Sequence, residues 1–168
     1  VRSHSGLTGG DAKKLAAAAG GEGFVNLLGE KALDAVIYAT AVGECNAAMG
    51  RIVAAPTAGA SGVLPGVFFA LKKHCGLDAV TLQRGMVVAG SIGMVINERA
   101  SLAGAMGGCQ AECGSAAAMA AGAAVSMLGG TPQQVGTAVA VVFKNVLGLV
   151  CDPVAGLVEI PCVKRNAG

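Results

Sequence analysis

The run Cys113-Gly-Ser-Ala-Ala-Ala-Met-Ala-Ala-Gly-Ala-Ala-Val-Ser-Met-Leu128, followed by Gly129-Gly-Thr131-Pro132-Gln-Gln134-Val-Gly-Thr-Ala-Val-Ala-Val-Val-Phe143, contains no charged residue from end to end. A bilayer-spanning helix needs only about 20 apolar residues, so this stretch decides between a membrane bundle and the inside of a globular domain. The break in its middle decides for the latter. Gly129-Gly130 ends one helix, and Thr131 as N-cap, Pro132 at the first helical position and Gln134 three residues after the cap start another. The run therefore reads as two buried helices of core length, with no membrane span. Val139–Val142 lies inside the second capped pattern and lacks period-two alternation, and no other segment reads as a strand. The fold class expected is all-α.

Outward from that core, the same grammar repeats. Between Lys31 and Met49, Leu33, Val36, Ile37, Ala41, Cys45 and Ala48 recur at helical spacing, which makes Cys45 a core residue. A helix from Val63 to His74 closes with Lys72, Lys73 and His74 before Gly76, as the helix dipole and a glycine C-cap favour, so His74 reads as structural. Asp78 caps the next helical run. Gly85, Gly90, Gly93 and Gly104 fall in or near it, each glycine costing about 1 kcal/mol in a helix interior, and two helices or one kinked helix are expected there, with Asn97-Glu98-Arg99 as a solvated turn. With 54% hydrophobic residues, only 3% aromatics and 27 glycines, the core must be built from small side chains that let helices approach closely. The 168 residues suit a single compact multi-helix domain of about seven or eight helices with Gly/Pro-rich site loops. A net charge of +2 makes no case for nucleic acid or an acidic partner.

Six cysteines without a signal-like apolar leader point to a reducing, cytoplasmic setting, in which thiols hold metal more often than disulfides. The start at Val1 without methionine and the end at Gly168 suggest a fragment of a longer chain. Two of the cysteines bracket Cys151-Asp-Pro153-Val-Ala-Gly156-Leu-Val-Glu-Ile-Pro161-Cys162, outside any C-x-x-C spacing, and prolines and glycines on irregular backbone allow such thiolates to converge on an iron–sulfur cluster. Cys109 follows Gly107-Gly108 and opens the helix Gln110–Leu128, where a helix N-terminus favours the thiolate. Three ligands on a four-iron cube leave one iron open as a Lewis acid. Cys113, one turn on, is the rival ligand, and packing is the alternative role for it and for Cys75.

Two small-residue loops suit an anionic ligand. Arg2-Ser3-His4-Ser5-Gly6-Leu7-Thr8-Gly9-Gly10 runs into a helix at Asp11, and reads either as an anion cradle or as an ordinary capped loop. Ala54-Ala-Pro56-Thr57-Ala58-Gly59-Ala-Ser61-Gly62 lets a ligand lie against backbone beside hydroxyl donors. Glu44 and Asn46 stand at the end of the helix before it, within reach of a site or simply satisfied in place. His4 is available as an acid or base near neutral pH, a solvated loop histidine being the alternative.

The blocks Ser5-Gly-Leu-Thr-Gly-Gly-Asp11, Asn46-Ala-Ala-Met-Gly-Arg-Ile-Val-Ala-Ala-Pro-Thr-Ala-Gly-Ala60, Gly107-Gly-Cys109-Gln-Ala-Glu112, Cys151-Asp-Pro-Val-Ala-Gly-Leu157 and Ile160-Pro-Cys162-Val-Lys-Arg-Asn166 together resemble the iron–sulfur-dependent L-serine dehydratases, in order and over nearly the whole chain. The resemblance implies a catalytic α chain or domain that converts L-serine to pyruvate and ammonia on a [4Fe–4S] cluster held by Cys109, Cys151 and Cys162. It also implies an oligomer and a β subunit or regulatory domain that could furnish the catalytic base if His4 does not. It favours the cradle reading of both loops, with Ser3, Ser5, Thr8, Gly9, Gly10, Asn46, Pro56, Thr57, Ala58 and Gly59 as substrate-binding residues. Two other classes stay in view. A pyridoxal-phosphate dehydratase needs a Schiff-base lysine, whereas the lysines here lie mostly in exposed or helix-end contexts. A structural or electron-transfer module would use the same cysteines for zinc or a cluster.

Overall fold

A computed structural model describes all residues from Val1 to Gly168. Seven helices follow one another: α1 (Asp11–Ala19), α2 (Gly29–Ala47), α3 (Val63–Cys75), α4 (Ala79–Arg99), α5 (Gly104–Met127), α6 (Pro132–Val146) and α7 (Glu159–Ala167). The only β-type pairing is an isolated bridge between Val154 and Leu157, so the all-α expectation holds.

Local chemistry accounts for the helix limits. Thr131 accepts from the Gln134 amide at 3.3 Å while the Gln134 side chain accepts from the Thr131 amide at 2.8 Å, completing the capping box of α6. Asp78 Oδ1 accepts from the Thr81 amide at 2.7 Å and starts α4. At the far end of α3, Gly76 adopts φ 65° and terminates the helix. His74 faces Asp34 of α2 at 2.5 Å, and Lys73 meets the same carboxylate at 2.7 Å, so this end of α3 is tied to α2.

The packing centre is α5. It lies against α3, α4 and α6, and α2 joins α3 to α1 and α7 on the other side. Ala116, Ala118, Ala120 and Ala123 of α5 are almost fully buried and form one core with Leu64 and Phe68 of α3 and with Ala89 and Ile96 of α4. Small residues make this closeness possible. A Cβ at Gly93 would stand 3.0 Å from the Met119 side chain, one at Gly85 would collide with Met127, and one at Gly114 would lie 2.8 Å from Val146.

Those contacts correct the reading of α4. It is a single unbroken helix through Asn97, Glu98 and Arg99, with no kink and no separate turn, because Gly85 and Gly93 act as seats for methionines of α5. The break lies instead inside α5, where Gly108 takes φ 71° and ψ −168°. The second half of the apolar run is also less enclosed than expected: α6 covers one side of α5 but contains no fully buried residue. By length and composition α4 is the one helix apolar enough to cross a bilayer, and it packs here as a face of the bundle.

Candidate functional site

The short helix α7 is where the site is assembled. Pro161 is tolerated because it falls in the first turn, where its missing N–H removes no helical bond. Cys162 is therefore helical, which corrects the expectation of irregular backbone up to that residue, and only Cys151 remains on a non-helical segment.

From different faces of α7, side chains reach every other part of the site. Glu159 accepts hydrogen bonds from the hydroxyls of Ser3, at 3.1 Å, and Ser5. Lys164 pairs with Asp11 at the start of α1 at 2.6 Å, which holds the Asp11 carboxyl below its usual range. Arg165 Nη1 donates to Cys109 Sγ at 2.8 Å and to the Val150 carbonyl at 2.9 Å, and it pairs with Asp152 at 2.6 Å. Burial opposes the charge on Arg165, but the bonds to Asp152 and Cys109 outweigh it and raise its pKa. Asn166 is buried; it donates to the carbonyls of Gly59 at 2.6 Å and Cys162 at 2.7 Å and accepts from the Gly62 amide at 2.7 Å.

Cys109 opens the main part of α5 directly after the Gly108 break, as its glycine prefix suggested, and it is buried. Gly108 is indispensable to its position: beyond the positive φ, a Cβ there would come 3.0 Å from the Leu149 carbonyl and 3.1 Å from Val150 Cα, just before Cys151. The Gln110 amide donates to that same Leu149 carbonyl at 2.8 Å. Helix start and Cys151 segment are thereby sewn together.

The thiols share one electrostatic neighbourhood. Burial, then the negative charges of Glu112, Cys109 and Cys151, push the Cys162 thiol up to about 11. Burial also pushes Cys113 up to about 12, with Cys109 as the next cause. Cys113 belongs to the hydrophobic core, in keeping with a packing role, while Cys45 is only half-buried and Cys75 is exposed at the end of α3. In the geometry present, no three His, Cys, Asp or Glu side chains converge on a point as the ligands of a single ion must. The irons of a cube are separate points, and ligands of different irons stand farther apart.

Both loops flank this neighbourhood. In the second, Thr57 Oγ1 donates to Glu112 Oε1 of α5 at 2.6 Å and accepts from the Ala60 amide at 3.3 Å, and Asn46 Nδ2 donates to the Ala58 carbonyl at 3.0 Å. The Ala55–Pro56 peptide is cis. Gly59 lies against Glu112, where a Cβ would stand 2.6 Å from the carboxylate. In the first loop, Ser3 and Thr8 are buried and His4 and Ser5 are exposed, with His4 making no hydrogen bond inside the chain. Gly9 and Gly10 edge a hollow of about 560 Å³ that also carries Arg2, Lys13 and Lys14, a basic surround for an anion.

One donor set expected for the substrate is in use. The amides of Asp11 and Ala12, the first of α1, point at Glu44 Oε1 at 2.5 and 3.4 Å, so the buried Glu44 supplies the negative charge that this helix start favours. What the loop retains for a ligand is its own backbone and the unpartnered hydroxyl of Thr8, since the Ser3 and Ser5 hydroxyls already donate to Glu159. Sequence reasoning assigned no role to Glu112, Glu159, Arg165 or Asn166. All four lie within or beside the cysteine motifs, at three or four residues from Cys109 or Cys162, the spacing that puts helical neighbours on one face.

A larger cavity, about 720 Å³, lies elsewhere, between α2, α3 and α4, with Val42, Leu64, Phe68 and Met86 in its wall. Arg51 is its only charged side chain, which is poor provision for a charged ligand.

The sequence profile described as "Serine dehydratase alpha chain" matches residues 1–168. The chain is 55% identical over 167 residues to the probable L-serine dehydratase alpha chain of Bacillus subtilis, covering 99% of this chain and 55% of that one. It is 51% identical over 142 residues to the L-serine dehydratase alpha chain of Peptoniphilus asaccharolyticus, covering 84% and 49% respectively. To L-serine dehydratase 2 of Escherichia coli it is 46% identical over 132 residues, 78% of this chain and 29% of that protein. The chain thus spans about half the length of the alpha chains it matches.

Proposed function

The chain belongs to the serine dehydratase alpha chain family, and from that premise we propose that it is the cluster-bearing, substrate-handling part of an L-serine dehydratase, which forms pyruvate and ammonia from L-serine. The observation that carries this reading is the reach of α7: one helix holds Cys162, contacts Cys109 through Arg165, and binds both substrate-type loops through Glu159 and Asn166. A reaction that needs a metal centre and an oriented amino acid side by side requires that kind of junction.

The donor set fits a [4Fe–4S] cluster. Cys109 and Cys151 both lie close enough to Cys162 to raise its pKa, and the Arg165 guanidinium, already bonded to Cys109 Sγ, would offset part of the negative charge that three thiolates bring. With three cysteines, a bound cluster keeps one iron free to act as a Lewis acid on the serine hydroxyl. The chain's own residues do the rest. The Pro56–Gly59 turn, braced by Asn46 and Asn166, and the Ser3–Gly10 loop, braced by Glu159, hold the substrate carboxylate with backbone donors. Fixing that end orients the Cα–H bond and the hydroxyl for elimination. His4, free at the tip of the first loop, is the proposed residue for moving the Cα proton, and a β chain or further domain would close the site over it. A cytoplasmic setting suits the reduced thiols.

The test is an anaerobically reconstituted protein assayed for pyruvate from L-serine, alone and with the remaining parts of the enzyme. Pyruvate formation that depends on iron and sulfide supports the proposal. A loaded protein that makes none in either form overturns it in favour of an electron-transfer or structural module.

A further inference from the structure

L-Serine meets its site as a zwitterion. Loops rich in amides and hydroxyls suit its carboxylate, but its ammonium carries three N–H donors, and leaving a desolvated cation unpaired costs several kcal/mol. The site must therefore present an acceptor, best a carboxylate that no cation of the protein already neutralises.

Five carboxylates stand around the two loops: two are neutralised by cations, and two more accept two hydrogen bonds each. Asp11 is paired with Lys164 and Asp152 with Arg165, each at 2.6 Å. Glu44 receives two amides of α1. Glu159 receives the hydroxyls of Ser3 and Ser5. Glu112 receives one hydroxyl, that of Thr57, and takes part in none of the ion pairs of the protein. A carboxylate has about four lone-pair positions, so most of the acceptor capacity of Glu112 is open.

Its placement matches the need. Glu112 lies one helical turn after Cys109, on the side of α5 that faces the cysteines, and its charge is among the causes that push up the thiols of Cys113 and Cys162. Backbone closes on it from two directions, at Gly59 and Gly104, where a Cβ would stand 2.6 Å from a carboxylate oxygen. The glycines let both segments confine the group, and the Thr57 bond fixes its rotation.

We propose that Glu112 receives the α-ammonium of the substrate, beside the Thr57 turn that holds its carboxylate, and so makes the site selective for amino acids over simple hydroxy acids. The assignment rests on the reading of L-serine as substrate. It gives Glu112 a binding and positioning role, distinct from proton transfer.

The experiment measures equilibrium binding to the reconstituted enzyme with its partner chain, by calorimetry, for L-serine and for 3-hydroxypropanoate, which is serine without the amino group. In Glu112→Gln, L-serine should bind about 10- to 100-fold more weakly, the loss expected for a charged hydrogen bond, while 3-hydroxypropanoate stays within about twofold. Thr57→Val serves as the reference for a damaged loop and should weaken both ligands. Glu112→Asp, which keeps the charge and shortens its reach, covers the case in which Glu112→Gln does not fold, and should also weaken L-serine selectively. Parallel weakening of both ligands in the Glu112 variants, or none, overturns the assignment. Failure of the unaltered enzyme to bind L-serine overturns the proposed function, and this assignment with it.

Discussion

Arg165 Nη1 donates to Cys109 Sγ at 2.8 Å, across 56 residues of sequence, and the same nitrogen donates to the Val150 carbonyl and meets the Asp152 carboxylate. The bond places a permanent positive charge on the thiol that opens the main part of α5, in the gap between two other cysteine-bearing segments.

Arg165→Lys should therefore be disruptive despite keeping the charge. All three contacts converge on the one nitrogen Nη1, and a lysine, with a shorter stem and a more strongly hydrated ammonium, cannot bring its nitrogen to the same point at the same desolvation cost. Partners of this kind commonly contribute about 10- to 100-fold to metal affinity. Iron and sulfide per chain after anaerobic reconstitution, with the visible absorption of the cluster, should fall by a clear margin, while the helical circular dichroism of the metal-free chain stays the same.

The cysteines should separate cleanly. Serine replacement of Cys109, Cys151 or Cys162 is expected to abolish retention of a full cluster, whereas Cys45→Ser and Cys75→Ser leave iron content unchanged. Cys113→Ala, at a core position, should lower stability by about 1 kcal/mol and keep the cluster. Iron analysis reads the first effect and thermal unfolding the second. Loss of iron in Cys113→Ala would make that residue a ligand.

Gly108→Ala tests how closely the two ligand segments must approach. The added methyl meets Leu149 and Val150 within 3.0 to 3.1 Å and sits at φ 71°. We expect a stability loss of about 1 to 3 kcal/mol from backbone strain and weakened cluster retention, because the methyl forces Cys109 and the Cys151 segment apart. Gly136→Ala, at an open position of α6, is the control and should be neutral or slightly stabilising.

Acid sensitivity should trace to Asp34. Lys73 above all, with a further contribution from His74, holds its carboxyl below the ordinary value in the folded state. A carboxyl with a lowered folded pKa binds protons more readily when unfolded, so its contribution is complete above about pH 4 to 5 and is lost as pH falls through the folded value. Asp34→Asn should cost about 1 kcal/mol at neutral pH and flatten the acid limb of a stability–pH curve measured by urea unfolding. An unchanged acid limb would mean that other carboxylates dominate.

Local signals carried most of the fold. Thr131 with Gln134, Asp78 with Thr81, and Gly76 after a basic helix end are pairings within one turn, so they can be read without any partner element, and the helices start or stop there as expected. The cysteine blocks were legible in part: the helix opening at Cys109 after Gly108 was read from its glycines, whereas Cys162 lies on a helix and not on irregular backbone. What the sequence by itself determined is thus the helical class, the start of α5 after Gly108, and the set of thiols worth considering. Tertiary structure alone decided which polar groups are free to meet a ligand. Glu44 and Glu112 look alike as glutamates in alanine- and glycine-rich helices, yet one is consumed by the first amides of α1, 33 residues away, and the other meets only Thr57, 55 residues away. The glycines of α4 follow the same logic: nothing local distinguishes a kink from a seat for a methionine of α5. A capping bond closes within a turn of its own chain, whereas the occupancy of a carboxylate or the filling of a glycine notch depends on which distant segment the packed helices bring against it.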